Sequence, residues 1–207
     1  MLTDAHSHNV NEGEVNTIYN VRINDDPMSL PHGPRLYFSA GIHPRDTHNF
    51  QPAWLEKLNL LLNYQQVVAI GECGLDKTIE TPFEVQLQVF ERQLILSEIV
   101  CKPLILHCVG YFNELLQIKE RHSPRQAWVI HGFRGKPELA RQLLRKGLYL
   151  SYGEKFNPKS VAATPPGRLL AETDESKAGI ETIHQQILAH NNCRPEELTA
   201  AYELFKL

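Results

Sequence analysis

Short apolar runs of six to nine residues recur along the chain, and most of them end in a polar residue of a chemically useful type. Read as strands, they cover 1–7 (MLTDAHS), 16–23 (NTIYNVRI), 35–43 (RLYFSAGIH), 67–74 (VVAIGECG), 103–109 (PLILHCV), 127–133 (AWVIHGF), 148–153 (LYLSYG) and 168–174 (RLLAETD). Several are almost continuously apolar, as parallel strands covered on both faces should be. Stretches of helical spacing lie between the later runs, at 52–64, 81–100, 111–122 and 136–147, and 194–207 (RPEELTAAYELFKL) reads as a C-terminal helix. In 81–100, Thr81, Pro82 and Glu84 have the order of a capping box with a proline in the first turn. Phe83, Leu87, Phe90 and Leu94 then form a stripe suited to lying on a sheet.

Eight strands alternating with helices predict an α/β fold, a TIM (β/α)₈ barrel, in one domain over 1–207. Only residues 8–15 and 24–34 separate the first three strands, too little for a helix with its loops. The barrel is therefore expected to lack its first two helices, which also accounts for a chain shorter than the roughly 250 residues usual for the fold. Without them, the outward side of 16–23 needs a cover. Either the C-terminal helix or a second subunit would supply it, and a homodimer through this flank is the expectation.

Hydrophobic residues make up 42% of the chain and charged residues 22%, with a formal net charge of −3, so no global basic surface advertises a nucleic-acid partner. A metal centre could still supply positive charge locally. Cys73, Cys101, Cys108 and Cys193 are scattered with no CxxC pair, which suits reduced thiols in the cytoplasm. No leader pattern and no bilayer-length apolar run is visible, so a soluble, cytoplasmic protein without a membrane partner is expected.

The stretch LTDAHSHNV places Asp4, His6 and His8 at alternate positions, and on a regular strand all three would share a face. His43, Glu72, His107, His131 and Asp174 fall at the ends of the third, fourth, fifth, sixth and eighth strands, where barrel chemistry is found. Cys73 and Cys108 adjoin Glu72 and His107, so strand geometry turns them away and excludes them as ligands. A lone histidine is more often structural, but ligand-type residues converging from several strand ends favour a metal site. His32, His48, His122, His184 and His190 are read as surface residues. Histidines with two carboxylates suit zinc, manganese or iron better than an all-oxygen cage.

In order, DAHSH, SAGIHP (39–44), AIGECGLD (69–76), PLILH (103–107), IHGFRG (130–135) and LLAETD (169–174) resemble the motifs of TatD-type metal-dependent deoxyribonucleases, a family of amidohydrolase-like hydrolases. The resemblance implies two divalent metal ions, with magnesium joining zinc and manganese as candidates. His6, His8, Glu72 and Asp174 would surround one ion and Glu72, His107 and His131 the other, with Glu72 bridging. Asp4 would accept a histidine N–H, and His43 would lie near the phosphate. Val109 and Ser176 stand where family members commonly carry arginine and proline, and a usual asparagine near the C-terminus is not evident.

The expected activity is hydrolysis of phosphodiester bonds, with DNA or a small phosphodiester as substrate, by a water activated between two metals. Glu72, Asp174 and His43 are the expected catalytic residues, with Asp174 taking the water's proton. Arg134 and Lys136, and more weakly Lys77, are candidates for substrate phosphate. The alternative is hydrolysis of a small C–N, lactone or ester substrate. A non-enzymatic interaction protein should have lost a ligand, and none is lost.

Overall fold

The computed structural model describes residues 2–26 and 29–207; Met1, assigned above to the first strand, and Pro27 and Met28 of the second connection lie outside them. Eight strands follow one another in sequence order around one sheet: β1 (Leu2–Ser7), β2 (Val15–Arg22), β3 (Leu36–Gly41), β4 (Val67–Asp76), β5 (Leu104–Val109), β6 (Trp128–Ile130), β7 (Tyr149–Tyr152) and β8 (Leu169–Ala171). Every neighbouring pair is parallel. A parallel bridge from Ser7 to Asp174 brings the last strand back to the first, giving the expected barrel.

The helices follow the later strands: α1 (Pro52–Leu62), α2 (Phe83–Val100), α3 (Phe112–His122), α4 (Pro137–Arg145), α5 (Pro158–Ala162), α6 (Ile180–Asn191) and α7 (Pro195–Thr199). Among the described residues no helix lies between β1 and β2, and no α-helix between β2 and β3. The chain returns from β1 to β2 over residues 8–14, which reach without a helix because they lie outside regular structure.

Side-chain alternation sorts the core into two layers. Ile18, Ile105, Val129 and Leu170 fill the barrel interior, and two residues on, Asn20, His107, His131 and Glu172 continue the same inward faces toward the strand ends. Leu104, Leu106, Ile130 and Leu169 point the other way and pack with Phe90, Leu94, Leu143 and Ile183 under the helices. The α2 stripe behaves as its spacing predicts: Phe90 and Leu94 are buried, and Phe83 and Leu87 pack against them.

Four local expectations are corrected. The capping box does not form, because Pro82 itself takes the N-cap position of α2 with no side-chain cap. Gln86 from the second turn ties down the helix start instead, donating to the Thr81 and Asp76 carbonyls. The C-terminal stretch is not one helix but α7 followed by a 3₁₀ segment, Ala200–Phe205. Its Ala201, Tyr202 and Phe205 pack with the interior layer rather than over β2. The outward side of β2 is covered within the chain, with Val15, Thr17 and Val21 all buried, so the argument for a second subunit there falls away. Finally, α6 was not anticipated, although Ile180, Ile183, His184 and Ile187 carry its buried stripe at helical spacing. His184 is accordingly buried, bonded to the Thr3 carbonyl at 3.1 Å, and not a surface residue. His122 is likewise partly buried against Glu91.

The buried face of α2 carries two glutamines with a positioning role. Gln93, 1% exposed, accepts from the Ile42 N–H at 2.7 Å and donates to the Ile42 carbonyl at 3.0 Å. Gln86 accepts from the Asp76 N–H at 2.8 Å. One helix thus clamps the end of β3, next to His43, and the end of β4, four residues past Glu72. Gly74 permits the close passage of β4 past β5: its φ is 134°, and a Cβ there would lie 2.1 Å from the His107 carbonyl oxygen.

Gln93→Leu should keep the packing volume but leave a buried donor and acceptor of Ile42 unpaired. The expected cost is about 2–4 kcal/mol, read as a lower urea midpoint with an unchanged slope; an unaltered midpoint would refute the clamp.

Candidate metal centre

The chain reaches the site from the C-terminal ends of the strands, as barrel enzymes require. Glu72 lies within β4, 8% exposed, and its backbone N–H donates to the Asn20 side chain on β2 at 2.8 Å. The two carboxylate oxygens face different groups of histidines. Oε1 has His131 Nε2 at 2.7 Å, His107 Nδ1 at 2.9 Å and His43 Nε2 at 3.3 Å. Oε2 has His6 Nε2 at 3.6 Å and His8 Nε2 at 3.8 Å. Those two imidazoles lie 3.9 and 3.7 Å from Asp174 Oδ1. Four of the expected ligands, His6, His8, His107 and His131, therefore surround the Glu72 carboxylate, and Asp174 joins the cluster through His6 and His8.

Asp174 arrives there through backbone pairing. Its N–H donates to the His6 carbonyl at 2.9 Å, and its carbonyl accepts from the His8 N–H at 3.1 Å. It adopts φ 55°, a left-handed conformation uncommon outside glycine. Ser176, at the position where proline was expected, uses the N–H that proline lacks to donate to the Thr173 carbonyl at 2.9 Å, and its hydroxyl meets Glu154 at 2.7 Å.

Asp4 accepts a histidine N–H only from the backbone, that of His6 at 3.4 Å, and among the described residues bonds no imidazole nitrogen. The register of β1 against β2 shifts between Asp4 and Ser7, so strict alternation fails within DAHSH and Asp4 faces away from the histidine rings. Its carboxylate accepts from Asn11 at 2.8 Å and from the Thr173 N–H and hydroxyl at 3.0 and 2.6 Å. Burial pushes its pKa up to about 7 despite those bonds.

Two other carboxylates orient the rings. Asp76 meets His107 Nε2 at 3.0 Å, leaving Nδ1 for the site. Glu172, fully buried, meets His131 Nδ1 at 3.3 Å and accepts from the Gly132 N–H at 2.5 Å, leaving Nε2 for the site. Each follows or precedes a motif residue by a short step, in GECGLD and ETD, and that proximity to Glu72 and Asp174 was the available signal. His43 is fixed differently. Its Nδ1 accepts from the Arg45 N–H at 3.0 Å, so a neutral ring carries its proton on Nε2, facing Glu72. That makes His43 a donor into the site.

Burial dominates the electrostatics. It acts to raise the Glu72 pKa, but the charge on His131 and hydrogen bonds from His107, His131 and His43 prevail and hold it well below the ordinary range. Burial disfavours the charged form of His131 too, yet Glu72 and Glu172 on either side keep its pKa well above 6.5. His6, fully buried, is driven down to about 3 by burial and then by His131. Asp174 is raised, first by burial and then by Glu172.

The His6 ring tests whether a metal fits. It is neutral and buried, and neither nitrogen has a hydrogen-bond partner. Such orphaned groups are costly unless something else satisfies them. Four overlapping sets could hold a cation: His6, Glu72 and His131; His6, His8 and Asp174; His43, Glu72 and His107; and His131, Glu172 and Asp174. Neutral imidazoles and buried carboxylates are the donors that zinc and manganese take. Cys73 and Cys108 are buried in the outer layer of the core, outside every such set among the described residues.

Arg134 lines the adjoining cleft of about 470 Å³ with Arg45, His107, Val109, His131 and Asp174, whereas Lys136 is exposed at the N-cap of α4 and does not line it. Lys77 lies over the Tyr111 ring, 5.8 Å from its centroid.

A parallel eight-stranded barrel thus carries at its strand ends a histidine–carboxylate cluster of a kind that could hold metal ions. The chain belongs to the TatD related DNase family, whose pattern matches residues 12–193. It is 33% identical over 151 residues to the uncharacterized metal-dependent hydrolase YabD of Bacillus subtilis, covering 67% of this chain and 58% of that protein. It is 34% identical over 147 residues to the 3′-5′ ssDNA/RNA exonuclease TatD of Cronobacter sakazakii, covering 66% of this chain and 56% of that protein. The chain thus spans little more than half the length of these curated relatives. The fold matches the crystal structure of YjjV, a TatD homolog from Escherichia coli, with a TM-score of 0.79, 23% identity, and coverage of 92% of this chain and 86% of that one.

Because His131 stays protonated above pH 6.5, a cation must displace its proton, and metal affinity should climb as pH rises from 6.5. Glu172→Gln removes a charge that a dication feels more than a proton does. Metal affinity by calorimetry should fall about 10–100-fold, and an unaltered affinity would show that Glu172 does not orient a ligand.

Proposed function

We propose that the protein is a metal-dependent phosphodiesterase of the TatD type, acting on DNA or RNA strands with two divalent cations bound. The observation that carries this reading is the division of Glu72, with Oε1 among His43, His107 and His131 and Oε2 beside His6 and His8. A bridging carboxylate needs that arrangement. His6, His8, Glu72 and Asp174 would hold one cation, and Glu72, His107 and His131 the other. The donor set favours zinc or manganese over magnesium.

Bound dications would polarise the phosphoryl oxygen and lower the pKa of a water. The chain's own groups do the rest. Asp174, with a raised pKa, is suited to accept the proton of the attacking water. His43, whose Nε2 faces Glu72, would line the site beside the phosphoryl group, and Asp76 and Glu172 keep the His107 and His131 rings in register. Arg134 adds positive charge to the cleft wall, where the backbone of a nucleic-acid strand would pass. The relative named an ssDNA/RNA exonuclease supports the nucleic-acid substrate. Free cysteines suit a reducing, cytoplasmic setting, and no helix among the described residues is long and apolar enough to cross a membrane.

One observation favours the alternative, a small ester, lactone or C–N substrate: Val109, 37% exposed, puts an apolar side chain in the cleft wall where family members commonly carry arginine.

Metal analysis of the purified protein should return about two equivalents. Hydrolysis of bis-p-nitrophenyl phosphate and of single-stranded DNA should be lost on chelation and fall at least about 10³-fold in Glu72→Ala. Affinity for DNA should weaken steeply with salt. Bound metal with no diesterase activity would transfer the assignment to the small-substrate hydrolase.

A further inference from the structure

We propose that Arg45 and Arg134 form a second phosphate subsite, holding the phosphate next to the one being cleaved; this rests on the phosphodiesterase reading above. The two residues come from separate parts of the rim. Arg45 opens the 3₁₀ turn Pro44–Asn49 after β3, and Arg134 follows β6, with β4 and β5 between them. Both line the same cleft of about 470 Å³, which also contains His107, His131 and Asp174. Two guanidinium groups therefore enter one space from two sides, beside the metal-ligand cluster.

Neither is consumed by the protein. Both are exposed, and among the described residues no carboxylate lies within 4.0 Å of either and no hydrogen bond is made by either guanidinium. Glu91 and Glu197, by contrast, do capture Arg121 and Arg194 elsewhere on the surface. An unpaired guanidinium at a cleft is matched to a phosphate oxyanion, which it can grip through two parallel hydrogen bonds.

Their stems are held in place. The Arg45 N–H is tied to His43 Nδ1, so the residue that donates into the site and the residue that would hold the next phosphate move as one unit. The Arg45 carbonyl is bonded to His48 at 2.8 Å. Arg134 follows Phe133, which is 1% exposed and whose N–H donates to the Ser151 carbonyl at 2.9 Å.

The remaining wall suits a nucleotide unit. Phe112, partly buried and edge-on to Phe133 at 6.3 Å, lines the cleft and offers a ring for a base to stack on. The wall at Val109 is apolar, so the positive charge of the cleft comes from Arg45 and Arg134. Bound cations would offset the scissile phosphate, which leaves the arginines for a neighbouring one. A strand has such a neighbour and an isolated diester does not.

The test compares a single-stranded trinucleotide with bis-p-nitrophenyl phosphate on the metal-loaded protein. In Arg45→Ala the ratio of kcat/KM for the trinucleotide to that for the small diester should fall at least tenfold, mostly through KM. The salt slope of oligonucleotide binding should drop by about 0.7. Arg45→Lys should recover most of the salt slope but only part of the ratio, because a point charge replaces a fork. Arg134→Ala should lower the same ratio. An unchanged ratio and salt slope in Arg45→Ala, or equal losses on both substrates, would overturn the subsite while leaving the phosphodiesterase standing. A wild-type protein that cleaves neither substrate would overturn both.

Discussion

Glu72 is a carboxylate taken almost wholly out of water, and the rest of the site is organised by that fact. A buried charge without partners costs several kcal/mol. Here it is met by three imidazole nitrogens on one oxygen and faces two more histidines with the other. The compensation propagates outward. His131 keeps its charge against burial because Glu172 adds a second carboxylate on its far nitrogen. His6, which no carboxylate bonds, goes the other way and becomes a neutral ring with two bare nitrogens. The buried anion thus keeps His131 charged, while burial and that charge leave His6 a neutral ring with a free lone pair for a cation.

The barrel holds this cluster with polar ties as well as apolar packing. Asn20 from β2 takes the Glu72 N–H and the Ser39 hydroxyl, which fixes β4 against its neighbours inside the barrel. Gln93 and Gln86 do the same from outside, through backbone groups next to His43 and at Asp76. Each tie satisfies a buried amide that would otherwise be costly, and each acts on a strand end rather than on a ring. The geometry of the site is therefore largely a property of the backbone.

The strands and their order were legible in the sequence because continuous apolar runs with polar ends have few other readings in a chain of this length. The six expected ligand residues, Glu72 among them, were legible for the same reason, since each lies in or next to the polar end of such a run. What the sequence concealed were departures from regular periodicity. The register shift after Asp4 turns a side chain through a strand, and alternation alone assigns it the wrong face. Glu172 and Asp76 lay beside Asp174 and Glu72 and were overshadowed by them. Gln86 and Gln93 fall on the buried face of α2, where an apolar stripe gives no hint that two amides serve the neighbouring strands. His184 reads as a surface histidine because its own polarity masks the stripe of Ile180, Ile183 and Ile187 that puts it on the buried face of α6.

The position of Asp4 shows what braces the end of β1, where no helix follows. On the β4 to β6 side, helices brace the strand ends that carry the site. After β1 no helix follows, yet His6 and His8 must be held as firmly as His107 and His131. Asp4, on the outer side of β1, bonds Asn11 in the return to β2 and both the N–H and hydroxyl of Thr173 beyond β8. The Thr173 hydroxyl also lies 2.8 Å from the Ser7 hydroxyl, and Asp174 pairs with the backbone on either side of Ser7. A carboxylate accepting several hydrogen bonds joins three segments. Its removal from the histidine rings is then not a lost interaction. The outer carboxylate locks the β1–β8 seam, and the seam sets His6, His8 and Asp174.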